Sequence, residues 1–191
     1  MAEFLAPYRW ITPNQISFAG FLLGGIAAAV CVLILPLWTA GALVVLGELL
    51  DFLDGELARK QGSSSREGAI FDAVLDRYTD FLVIGALTFL TAVILNPQHD
   101  LFIGKMTFMT SETALLLGMA ALLGSALTPY IRAKTEAEGK KSIPTIGDRG
   151  WRNRILVVGL IAGQPLWTLA AIAAVTNFSA IRRLIFAMGR E

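Results

Sequence analysis

Asp51 and Asp54 stand three residues apart, and Asp72 and Asp76 four apart, in the stretch DFLDGELARKQGSSSREGAIFDAVLD at residues 51–76. On an α-helix, Asp51, Asp54 and Ala58 share one face at i, i+3 and i+7. Gly68, Asp72 and Asp76 share one face at i, i+4 and i+8. The connection between the two helices, 61–67, is short, so they are antiparallel neighbours that present four carboxylates to a common space. Carboxylates this close in a low-dielectric setting cannot all stay ionised without cations. Hard oxygen ligands suit Mg²⁺ or Mn²⁺. Two such ions, about 3.5–4 Å apart, clamp an in-line displacement at phosphorus. The alternative is that the carboxylates are protonated, or paired with Arg59, Arg66 and Arg77 as structural glue. The shared phasing on two adjacent helices favours the metal site.

These charges lie in a chain of 191 residues that is 55% hydrophobic and only 16% charged, with a mean hydropathy of +0.63. A soluble domain carries about 25% charged residues, so the composition points to the membrane. Residues 17–38, 81–95, 113–130 and 155–181 are uncharged, and Glu48 alone interrupts 39–50. Within the last uncharged stretch, GQPLW at 163–167 is a break signal: glycine ends a helix and proline prevents its continuation. The expected fold is an all-α integral membrane protein. Six transmembrane helices, at about 14–35, 37–60, 68–95, 111–135, 149–163 and 165–187, follow a short interfacial amphipathic helix at about 3–10. The fifth is short, about 22 Å at 1.5 Å per residue.

With six spans, both termini and the loops 61–67 and 136–148 share one side. Of the 16 Lys and Arg residues only Lys105 then lies opposite. Five spans would put Arg182, Arg183 and Arg190 outside. The positive-inside rule makes the shared side cytoplasmic, with the active site facing it in the cell (plasma) membrane. Trp10 and Trp151 fall near the inner interface, Trp38 and Trp167 near the outer one. TPN at 12–14 reads as the end of the interfacial helix and the cap of the next. Cys31 is a packing residue, and no cleaved signal peptide is expected. The net charge of +1 does not point to nucleic acid. The chain reads as one membrane domain, 1–191.

Gly55, Ala58 and Gly68 leave room for a flat ligand such as a nucleobase to approach backbone, or for close helix packing. Arg59, one turn beyond Asp54 and Gly55, is placed to reach a diphosphate or to snorkel to the interface. Asp80 has rotated off the Asp72/Asp76 face and supports the site from behind or pairs with a basic residue deeper in the bundle. Glu48 is similarly placed before Asp51.

The pattern Asp51-x2-Asp54-Gly55-x2-Ala58-Arg59-x8-Gly68-x3-Asp72-x3-Asp76 resembles the CDP-alcohol phosphotransferase signature at every fixed position and spacing. The resemblance implies transfer of a phospho-alcohol moiety from a CDP-linked lipid donor to an acceptor hydroxyl, with release of CMP. It implies that Asp51, Asp54, Asp72 and Asp76 hold two divalent cations on the donor diphosphate. Gly55, Ala58 and Gly68 would line the cytidine pocket, Arg59 would support the diphosphate, and Asp76 would be the general base. Ser65 and Asn14 would help hold the donor. A homodimer is also implied, and Gly20-x3-Gly24 offers a helix-contact motif of a kind that is often intramolecular.

The acceptor is read from a second basic cluster at 130–154, YIRAKTEAEGKKSIPTIGDRGWRNR. A helix N-terminus flanked by arginines is an anion site, which a phosphorylated acceptor needs and serine does not. YIRAKTEAEG followed by GDRGWR, with RRL at 182–184, is similar to the corresponding stretches of phosphatidylinositol-phosphate and archaetidylinositol-phosphate synthases. Lys134, Thr135 and Asp148 depart from that pattern. Arg132, Arg152 and Arg183, with Arg149 nearby, would bind the phosphate of a small phosphorylated alcohol. Inositol 1-phosphate leads and glycerol 3-phosphate is the main rival. Lys140 and Lys141 read as anchors to anionic lipid. A cation or proton transporter is the rival of a different class, but its charges would sit near the bilayer midplane.

Overall fold

The structure, a computed structural model, describes residues 7–8, 10–95 and 111–189. Most of the expected interfacial helix at about 3–10 lies outside them, as do Arg9, Lys105 and Arg190. Trp10 sits in a turn in which Ile11 N–H donates to Tyr8 O (3.0 Å). The described elements are α1 (Pro13–Ile34), α2 (Leu37–Gln61), α3 (Arg66–Ile94), α4 (Ser111–Ala137), α5 (Arg149–Ile161) and α6 (Pro165–Met188), with no strand among the described residues. Helices α1, α3, α4 and α6 are each long and apolar enough to cross a membrane, and the protein is a membrane protein.

Local chemistry sets the boundaries. Thr12 and Gln15 form a reciprocal capping box at the start of α1, with Pro13 in the first turn. Leu35, before Pro36, is extended (φ −127°, ψ 167°) and ends the helix. Gly62 (φ 63°) closes α2, with Ser63 N–H donating to Ala58 O (3.0 Å). Gly139 (φ 77°) and Gly163 (φ 64°) do the same after α4 and α5. Only glycine enters this left-handed region cheaply. The GQPLW segment is therefore a true break: Gly163 turns the chain and Pro165 opens α6.

The chain divides into two compact units, Met1–Val83 and Ile84–Glu191. In the first, α1 lies against α2 through glycine. A Cβ on Gly47 would fall 2.7 Å from Gly24 Cα and 3.1 Å from Gly20 O. The Gly20-x3-Gly24 motif thus makes an intramolecular contact. A π-helical stretch, Leu22–Ala27, widens α1 there. The added residue per turn lets Gly24 and Gly25 both be buried, Gly25 beside the Thr79 hydroxyl of α3. Phe21 meets Tyr78 edge-on at 6.4 Å.

In the second unit the interior mixes leucine and isoleucine with small and polar residues. Thr128 Oγ1 of α4 contacts its own helix at Gly124 O (2.9 Å) and α6 at Thr176 O (3.1 Å). Asn177 Nδ2 donates to Ala120 O (2.8 Å). A Cβ on Gly124 would overlap Thr176, and one on Gly159 of α5 would overlap Thr168 of α6. Many large apolar side chains also face outward: Leu116, Val158 and Ile185 here, and Phe52 and Ile70 in the first unit, are exposed. Lipid tails are as apolar as leucine, so helices in a bilayer associate through small residues and hydrogen bonds.

Gly47→Ala has backbone on its far side and nothing flexible to displace. It is expected to cost about 1–3 kcal/mol and lower the unfolding midpoint in detergent. Gly85→Ala, where a Cβ meets nothing within 4 Å, is expected to leave the midpoint unchanged or raise it.

Candidate functional site

The first unit carries the acidic cluster. Asp51 lies on α2, and Asp72 and Asp76 lie on α3. One carboxylate oxygen from each falls within 4.8 Å of the others, and all three residues are half-buried. Asp54, one turn after Asp51, is set apart from this trio. It is 7% exposed and accepts a hydrogen bond from the Ser17 hydroxyl of α1.

Beside these groups opens a cavity of about 490 Å³. Asp54, Gly55, Ala58, Arg59 and Gln61 of α2 line it, with Asn14 and Ser17 of α1, Ser63–Ser65 of the connection, and Gly68 and Asp72 of α3. Every residue expected to contact the CDP moiety (Asn14, Gly55, Ala58, Arg59, Ser65, Gly68) is therefore in one wall. Ser65 caps α3, its Oγ accepting from Gly68 N–H (3.0 Å). A Cβ on Gly68 would stand 3.3 Å from Ser65 Oγ and 3.4 Å from Asn14 Oδ1. Glycine here lets polar groups from two helix starts close around one point. Gln61 Nε2 donates to Ile11 O (3.2 Å) and ties the segment before α1 to the end of α2.

The trio's donor set is three carboxylates of hard oxygen, which fits a divalent cation of the Mg²⁺ or Mn²⁺ kind. Arg77 is a charge partner, but a loose one. Its Nη2 is 3.7 Å from Asp76 Oδ2 and its Nε is 3.6 Å from Asp80 Oδ2. Both separations are long for a hydrogen bond. Asp80 thus pairs with a basic residue on its own helix, and Arg77 spans the gap to Asp76.

The second unit holds the arginines singled out for the acceptor. Arg152 of α5 and Arg183 of α6 are buried, at 2% and 3% exposed. Arg149 is half-buried, and Arg132 is exposed and paired with Glu136 (2.9 Å). Arg183 makes three contacts. Its Nε donates to Thr145 Oγ1 (3.2 Å), its Nη1 to Thr128 O (3.0 Å), and its Nη2 to Asp148. Asp148 occupies the N-cap position of α5 yet makes no side-chain cap bond. Its carboxylate serves Arg183 and Thr145 N–H instead. Lys140 donates to Ala187 O (2.9 Å) at the end of α6, so it anchors protein.

Thr12, Ser17, Gln61, Ser63 and Ser64 are cavity residues that the sequence reading did not single out. A signal for Ser17 existed: it follows Asn14 at i+3, on the same face of α1.

A family model for CDP-alcohol phosphatidyltransferase matches residues 10–175. A bifunctional IPC transferase and DIPP synthase of Rubrobacter xylanophilus is 35% identical over 92% of this chain and 37% of its own length. The chain thus spans well under half of that relative, and 39% of one of the same name from Thermococcus kodakarensis. The phosphatidylinositol phosphate synthase of Mycolicibacterium smegmatis is 29% identical over 87% of this chain and 74% of its own. Among solved structures, phosphatidylinositol phosphate synthase of Mycobacterium tuberculosis with CDP-DAG bound has a TM-score of 0.80 at 22% identity. That match covers 100% of this chain and 96% of the other. The same enzyme in complex with manganese and citrate scores 0.78 at 22% identity, over 100% of this chain and 91% of the other. With the family model running through both aspartate-bearing helices and on past Arg149 and Arg152, the chain belongs to the CDP-alcohol phosphatidyltransferase family.

Proposed function

We propose that the protein transfers a phosphatidyl or archaetidyl group from a CDP-linked lipid to the hydroxyl of a small phosphorylated polyol, inositol 1-phosphate, and releases CMP. The observation that carries this reading is the convergence of the Asp51, Asp72 and Asp76 oxygens within 4.8 Å. The cavity bordered by Asp54 and Asp72 has the volume of a small-ligand site. The names of the synthase relatives, and the CDP-DAG and manganese of the solved synthase, support the donor, the acceptor class and the metal.

In this reading the four aspartates hold two divalent cations. When bound, these neutralise and polarise the donor diphosphate. The chain's own groups do the rest. Gly55, Ala58 and Gly68 admit the cytidine against backbone, with Asn14 and Ser65 as polar contacts. Arg59 faces the diphosphate. Asp76 takes the proton from the acceptor hydroxyl as that oxygen bonds to the lipid-bearing phosphorus. The bond from phosphorus to the CMP oxygen breaks, and CMP leaves with the electron pair. Arg132, Arg149, Arg152 and Arg183 hold the acceptor's phosphate. The first-turn N–H groups of α5 assist them, because Asp148 does not cap that helix.

The charge pattern supports six crossings, with α2 and α5 spanning as well. It also supports one membrane domain in the plasma membrane with its active site toward the cytoplasm. A homodimer is part of the proposal, and its contact lies elsewhere than the Gly20–Gly24 face, which α2 covers.

An acceptor panel tests the reading. In vesicles carrying CDP-diacylglycerol, CMP release is expected with inositol 1-phosphate and Mg²⁺ or Mn²⁺, and is expected to stop on chelation. Release with glycerol 3-phosphate alone would reassign the acceptor. Release with serine and no phosphorylated acceptor would overturn the role of the arginines. No metal-dependent release from any acceptor would overturn the enzyme and favour a transporter.

Asp76→Asn is expected to lower kcat by about 10²–10⁴-fold, the usual worth of a positioned base, with the thermal midpoint unchanged. Arg183→Lys keeps the charge but loses the fork that reaches three partners. It is expected to raise the acceptor KM while leaving the donor KM near that of the wild type.

A further inference from the structure

Ser17 has no place in the signature or in the chemistry above. It lies on α1, 9% exposed, in the cavity wall. Its hydroxyl has two acceptors in reach: Pro13 O, 3.2 Å away and one turn back, and the Asp54 carboxylate. A helical serine ordinarily donates to the carbonyl four residues before it. A carboxylate is the stronger acceptor, so the proton goes to Asp54. The helix pair sets this contact. Gly24 touches Gly47 backbone to backbone. Seven residues back along α1 and seven forward along α2, the same two faces meet again as Ser17 and Asp54. At a wider helix separation the short serine side chain would not span the gap.

Asp54 needs such a hold. It belongs to the signature, yet its carboxylate is not part of the converged trio of Asp51, Asp72 and Asp76. We infer that Ser17 is a positioning residue: its hydrogen bond sets the orientation of the Asp54 carboxylate as a cation ligand. This inference rests on the two-cation reading of the site. Removing an outer partner of a metal ligand typically costs about 10–100-fold in metal affinity, and that is the loss expected at Ser17.

The test is Mn²⁺ binding to the 191-residue chain in detergent, with free Mn²⁺ read by paramagnetic resonance in the absence of any substrate. Ser17→Ala and the near-isosteric Ser17→Cys are expected to bind Mn²⁺ about 10–100-fold more weakly. Ser17→Thr, which keeps the hydroxyl, is expected to restore the affinity. In an Asp54→Ala background, Ser17→Ala is expected to add no further loss, because the serine acts only through that carboxylate. Turnover of Ser17→Ala is expected to recover toward wild type at saturating Mn²⁺, which a general folding defect would not permit. Wild-type affinity in Ser17→Ala or Ser17→Cys, or an undiminished extra loss in the Asp54→Ala background, would overturn the assignment while leaving the two-cation site intact. Absence of Mn²⁺ binding by the wild type would overturn both.

Discussion

Like charges held close together set the terms for this fold. Three carboxylate oxygens from Asp51, Asp72 and Asp76 lie within 4.8 Å of one another. At an effective dielectric of ~20, two unit charges 4.8 Å apart repel by about 3.5 kcal/mol. Arg77, more than 3.5 Å from either neighbouring carboxylate, relieves part of that. The helices that carry the cluster must therefore be held by contacts that do not depend on it. The contact between α1 and α2 fits this need. Where Gly20 and Gly24 meet Gly47 it is glycine on glycine, with no titratable group and no long side chain at that crossing. Residues 61–67 do the same between α2 and α3, where Gly62 turns the chain and Ser65 caps the next helix at once.

The rest of the interior follows from the solvent the protein lives in. Threonine and serine share the interior with leucine and isoleucine, and many hydroxyls donate to the carbonyl one turn back. Thr88, Thr91, Thr168 and Thr176 all do so. That pairing satisfies these four hydroxyls within their own helices and keeps the helix face narrow, whereas the buried Ser125 and Ser179 hydroxyls have no hydrogen-bond partner among the described residues. Thr128 goes further and reaches α6 as well. Ser17 departs from the pattern in a telling way, because the carboxylate across the helix pair takes its proton.

Much of this was legible in the sequence, because hydropathy and spacing are one-dimensional signals. The uncharged stretches marked the apolar helices, and the Gly163–Pro165 pair marked the break between α5 and α6. The 3.6-residue period put Asp72 and Asp76 on one face. It could not separate Asp51 from Asp54. Three residues on a helix subtend about 300°, close enough to share a face yet far enough for one to join α3's aspartates and the other to meet α1. That distinction depends on how α1 crosses α2, which no local spacing records. The π-helical turn at Leu22–Ala27 was equally silent, since LLGGIA reads as ordinary apolar helix. Arg183 was found as a basic residue at a helix end. Its partners, Thr128, Thr145 and Asp148, come from 35 to 55 residues away along the chain.

The arginine region shows how one contact redirects another. An aspartate just before a helix normally spends its carboxylate on that helix's first N–H groups. Asp148 stands there and does not, because the buried guanidinium of Arg183 draws it away. The guanidinium offers the carboxylate a full positive charge, where a helix N-terminus offers about half of one, so the diversion is favourable on its own terms. Its consequence is that the first N–H groups of α5 receive no side-chain cap bond from Asp148, with Arg149 and Arg152 in the helix's first turns. Lysine at 183 would carry the same charge but could not hold Thr145, Thr128 and Asp148 together. Asp148 would then be free to return to its helix and occupy the end that the proposed function gives to an acceptor phosphate. In the proposed function, the acceptor preference is thus tied to a carboxylate that declines its ordinary task.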